Sequence, residues 1–125
     1  MNKAKLQIWG REFEMEVKYD CYAGEAVLEA QEDALKAFLK SDGVIMASLE
    51  MVKDYCLAQN KNDIGESGIP NIFQYVAPKY LYVARSMDRH LVAIMCNYKF
   101  DPENGIAVVF ENEQFHKIGK QDIIL

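Results

Sequence analysis

Along residues 11–19, "REFEMEVKY", the apolar Phe13, Met15, Val17 and Tyr19 alternate with Glu12, Glu14, Glu16 and Lys18, the period-two signature of a strand wet on one face. Leu6 and Ile8 flank Gln7 just before it, and Gly10-Arg11 suits a tight turn, so the chain opens with a β-hairpin. From Gly24 to Lys40 the period changes: Val27, Leu28, Leu35, Phe38 and Leu39 recur at helical spacing. Glu25 and Glu29 near the start and Lys36 and Lys40 near the end complement the helix dipole. Ser41-Asp42-Gly43 stops this helix and caps a second one, whose stripe is Ile45, Leu49, Val52 and Cys56. Met46 and Met51 read as flexible core filler.

Residues 61–78 carry two glycines and two prolines among polar residues and are expected to form a loop or a partly structured connection. Beyond them, 79–84 alternates as a strand, while "HLVAIMCNY" and "GIAVVF" are nearly continuous apolar runs, the mark of strands covered on both faces. "QFHKIG" supplies a shorter partner, and Ile123, Ile124 and Leu125 dock the tail. The expected architecture is a single α+β domain over 1–125: a hairpin, two helices, then an antiparallel meander of about four strands with the helices on one face. Phe13, Val17, Leu35, Val52, Val92, Ile94, Val108 and Phe110 are expected to share its core. The strand at 79–84 or the N-terminal hairpin would give an edge open to homodimerisation.

The turn at 101–105 is specified position by position. Asp101 opens it, Pro102 presets φ at its second position, and Asn104 or Gly105 accepts positive φ. A meander that runs up, down and up again puts this turn and the segment 119–122 at one end of the sheet, so Asp101, Glu103, Asn104, Gln121 and Asp122 converge. Pro102, Gly105 and Gly119 have structural turn roles there. Glu111 and Glu113 fall at the opposite end, with Arg85, Asp88 and Arg89.

Charge and cysteine content narrow the function classes. A net charge of −5 with dispersed Lys and Arg lacks the basic stripe that a nucleic-acid surface needs. Cys21, Cys56 and Cys96 are odd in number and far apart, which fits neither a disulfide framework nor a zinc site and suits a reduced, cytoplasmic setting. No apolar run reaches membrane-span length, so no membrane role is expected. His90 and His116 lack a nucleophile partner at motif spacing, so no catalytic residue and no cofactor is assigned. Asp101, Glu103 and Asp122 could offer oxygen ligands to Mg²⁺ or Ca²⁺, but their turn and capping roles explain them as well, and no metal is assigned. Trp9, Phe73 and Tyr75 form a candidate aromatic patch for a protein partner, with Tyr22 as a further aromatic.

The run "YKFDPENGIAVVF…KIGKQDIIL" resembles the C-terminal third of small uncharacterised bacterial domains, some of them immunity proteins found beside toxins. Glu103, Gly105, Gly119 and Asp122 match that pattern, and Asn104 stands where the pattern has His. The resemblance implies an α+β domain without an established activity. A small acidic domain without a catalytic constellation is expected to bind another protein, and the resemblance makes immunity-type inhibition of a toxin its specific form, with Asp101, Glu103, Asn104, Gln121 and Asp122 as the partner-binding residues and their acidic charge steering a basic target. A metal-dependent enzyme or ligand-binding domain using the 101–105 and 119–122 end, and a structural dimerisation module, are the alternatives.

Overall fold

In the computed structural model, which describes residues 3–125, β1 (Lys3–Ile8) and β2 (Arg11–Tyr19) pair antiparallel from Lys3 opposite Glu16 to Ile8 opposite Arg11. The turn lies one residue earlier than expected. Trp9 and Gly10 are its central pair, with φ of 52° and 86°, as a two-residue hairpin turn of this hand requires. A tryptophan holds a left-handed conformation here because its ring is buried and its indole Nε1 donates to Ser48 Oγ at 3.0 Å.

Helix α1 (Glu29–Leu39) starts five residues later than Gly24. The delay has a cause in Gln31, which is buried. Its Oε1 accepts from the Leu28 amide at 2.9 Å, and its Nε2 donates to the carbonyls of Asp20 and Val83. The helix therefore begins where one side chain can cap it and tie it to two strand ends. Helix α2 (Asp42–Ile64) turns Ile45, Ser48, Val52, Cys56 and Ile64 inward and has non-helical dihedrals at Asn60. Ser48 takes the interior position expected of Leu49, since the Trp9 indole needs an acceptor there.

After α2, a 3₁₀ turn at Ile72–Gln74, capped by the Asn71 side chain, leads into β3 (Val76–Val83). The expected loop 61–78 is thus structured at both ends. β3 pairs parallel with β2, from Glu16 opposite Tyr80 to Tyr19 opposite Val83. The two helices form the crossover that parallel neighbours need, and β3 lies inside the sheet, so it is no open edge. Pro78 is accommodated by a register shift between Pro78 and Tyr80. β4 (Leu91–Tyr98), β5 (Ile106–Glu111) and β6 (Gln114–Gly119) complete an antiparallel meander. The six-stranded mixed sheet has the order β1-β2-β3-β4-β5-β6, leaving β1 and β6 as edges. Helix α2 touches both of them, so the sheet curves around it.

This α+β arrangement has two apolar layers. On the helix side Val17, Phe38, Ile45, Val52, Val92, Ile94, Val108 and Phe110 are buried together, with Phe13 and Leu35 half-buried against them. On the other side Ala93, Met95, Ala107 and Val109 are covered by Tyr80, Tyr82, Leu91 and the tail residues Ile123 and Ile124, whereas Leu125 is exposed. Coverage on both faces is why β4 and β5 read as continuous apolar runs. Among the described residues no helix is long and apolar enough to cross a membrane.

Candidate functional site

The 101–105 turn and the tail meet, and their polar groups bind each other. The Asp101 carbonyl accepts from the Gly105 amide at 2.9 Å, and its carboxylate accepts from the Asn104 side chain at 3.0 and 3.1 Å. Gln121 then crosses the turn: its amide donates to the Asn104 carbonyl at 3.1 Å and its Nε2 to the Cys96 carbonyl at 3.0 Å. Gly105 has a φ of +60°, and a Cβ there would lie 2.5 Å from the Cys96 oxygen and 2.6 Å from Gln121 Nε2. Gly119 gives Ile123 room, a Cβ being 3.2 Å from its side chain. Asn104 and Gln121 are thus engaged inside the fold, while Pro102, Glu103 and Asp122 are exposed. Among the described residues no three His, Cys, Asp or Glu side chains are grouped to hold a metal ion, so Asp101, Glu103 and Asp122 do not form a cation cage.

Beside this end lies a cleft of about 200 Å³ lined by Tyr55, Asn60, Tyr98, Phe100, Asp101 and Lys120. The Tyr98 hydroxyl donates to Asn60 Oδ1 at 2.7 Å, at the point where α2 loses helical geometry. Burial raises the Tyr98 phenol and the Cys96 thiol well above their ordinary values and pushes the Cys56 thiol up to about 11. These groups stay protonated near neutrality.

At the opposite end Arg89 pairs with Glu111 at 2.8 Å and His90 Nδ1 with Glu113 at 2.7 Å, both at the surface. Of the aromatic candidates, Trp9 and Phe73 stay paired while Tyr75 packs elsewhere. Trp9 is 5% exposed and closes the core, with Phe73 6.0 Å away and the Arg11 guanidinium 4.1 Å over the Phe73 ring. Tyr75 instead stacks on Phe100 at 5.4 Å. Tyr22 is exposed beneath Arg85.

A surface that periodicity assigned to the core emerges on α2. Met46 and Met51 are 50% and 41% exposed. Each borders an open cleft: one of about 340 Å³ toward Gln7, Trp9 and Asp42, the other of about 430 Å³ toward Ala47, Glu113 and Phe115. The signal was present in "GVIMASLEMV", which has more apolar positions than one buried stripe can absorb.

The fold and its surfaces define a small α+β domain with a curved mixed sheet wrapped on one long helix. The chain belongs to the family described as "Domain of unknown function (DUF6985)", which matches residues 2–125 and so extends far beyond the C-terminal third in which the resemblance lay. No curated protein and no solved structure matches it.

Proposed function

We propose that this domain acts by binding another protein through the exposed face of α2, without catalysis, as an immunity-type inhibitor of a basic toxin in a bacterial cytoplasm. The observation that supports this reading is the exposure of Met46 and Met51 between two open clefts. Flexible thioether side chains adapt to a partner's contour, and an apolar patch with a polar rim is what protein interfaces use. Asp42, Glu50 and Glu113 lie among or beside these residues, and the chain as a whole carries −5. A basic partner is drawn to such a surface. The exposed Glu103 and Asp122, with Asp101, add steering charge at the other end of the molecule. Lys3 and Lys5, exposed on the edge strand β1, place positive charge along that edge, a device that discourages edge-to-edge pairing of copies.

The test is co-expression with a basic toxin encoded beside the gene, reading growth rescue and complex formation. The parent is expected to rescue and to form a one-to-one complex. A Met46→Asp, Met51→Asp protein is expected to do neither while melting at the parent's temperature. Rescue by that variant would overturn the α2 assignment, and failure of the parent to bind would overturn the role.

A further inference from the structure

On the sheet face away from the helices, a pocket of about 260 Å³ is lined by Ala84, Arg89, Leu91, Val109, His116, Lys117, Ile123 and Ile124. Its floor is apolar: Leu91 and Val109 come from β4 and β5, and Ile123 and Ile124 from the docked tail. Its rim is basic. No acidic residue lines it, whereas the clefts around α2 and the 101–105 turn each include a carboxylate. In a chain of net charge −5 that local reversal of sign is unexpected.

The backbone is built to produce it. Along β5 and β6, Phe110 faces Phe115 and Val109 faces Lys117, so His116 is an extra residue in β6. A bulge of this kind re-aims consecutive side chains that a regular strand would send to opposite faces. Both His116 and Lys117 therefore border the pocket. Arg89 is already neutralised by Glu111 at 2.8 Å, but among the described residues neither Lys117 nor His116 forms an ion pair.

We infer that this pocket binds a small organic carboxylate, with its apolar or aromatic body on Leu91, Val109, Ile123 and Ile124 and its charge against Lys117. One unpaired ammonium matches one negative charge, and the apolar floor rewards a ligand with a body that a simple inorganic anion lacks. The volume lies just below the range of drug-sized sites, which sets the ligand's size. The site is on the opposite side of the sheet from α2, so it stands independently of the protein-binding role.

The experiment is a titration of the ¹⁵N-labelled full chain, followed by amide chemical shifts, with sodium benzoate, benzyl alcohol and inorganic phosphate in parallel. Benzoate is expected to shift the amides of Leu91, Val109, Lys117 and Ile123 saturably. Benzyl alcohol should bind about tenfold more weakly, and Lys117→Gln should weaken benzoate by a similar factor with the remaining spectrum unchanged. Phosphate should leave those amides unsaturated. The inference is overturned if benzoate gives no saturable shift there, if benzyl alcohol binds as tightly, if phosphate saturates the same amides as well as benzoate does, or if Lys117→Gln binds benzoate like the parent.

Discussion

Gly105 shows most clearly how one residue position can be dictated twice. Its positive φ suits glycine, and the space beside it is occupied by the Cys96 carbonyl and the Gln121 side chain. Gly105→Ala should cost about 2 kcal/mol or more in urea unfolding, from left-handed backbone strain plus a close contact with backbone; an unchanged midpoint would contradict the geometry. The requirement for glycine was legible in "DPENG", but its clash partners were not, because Cys96 and Gln121 are distant in sequence. The thiols give a second residue-scale outcome. Cys56 and Cys96 are fully buried and Cys21 is half-buried, so alkylation of the folded protein at pH 8 should mark Cys21 alone, as mass spectrometry of the digest would show. The folded-state value of Cys56, about 11 against an ordinary 9.0, favours the protonated thiol. Its contribution is intact below pH 9 and is lost as the pH rises from about 9 to about 11. The decline in melting temperature across that window should be smaller for Cys56→Ala than for the parent.

At the scale of elements, the strands were the readable part. β2 showed its alternation because one face is wet, and β4 and β5 showed continuous runs because helices cover one face and the tail covers the other. Replacing Val108, fully buried on the helix side, by Asp should abolish cooperative unfolding, since an unpaired charge there has no partner. A normal melting curve would contradict the assignment of that face. The tail makes a separate prediction: Ile123→Ser with Ile124→Ser should destabilise by about 2–4 kcal/mol, as these side chains cover Ala93, Met95, Ala107 and Val109. What periodicity could not supply was pairing. The parallel contact of β2 with β3 joins segments separated by both helices, and nothing local in 79–84 distinguishes an inner strand from an edge. The start of α1 depended likewise on Gln31 reaching the carbonyls of Asp20 and Val83.

For the molecule as a whole, the sheet end at 101–105 and 119–122 is closed by its own hydrogen bonds, while exposed apolar side chains lie on α2. Hairpin geometry correctly brings the turn and the tail to one place, but Asn104 and Gln121 are engaged there in holding the fold. The α2 surface was hidden in the sequence because Met46 and Met51 sit between stripe positions and could equally have filled a core. Which methionines face water depends on the sheet curving around α2, with β1 and β6 both touching the helix. The direct measurement is the affinity of the purified domain for the basic toxin proposed as its partner, compared between two variants. Met46→Asp with Met51→Asp should weaken binding by about a hundredfold or more, as removal of central anchors does. Asp101→Asn with Glu103→Gln and Asp122→Asn should slow association and reduce its salt dependence, with dissociation unchanged. The reverse pattern, full affinity without the methionines and its loss without the three carboxylates, would contradict the assignment of the α2 face.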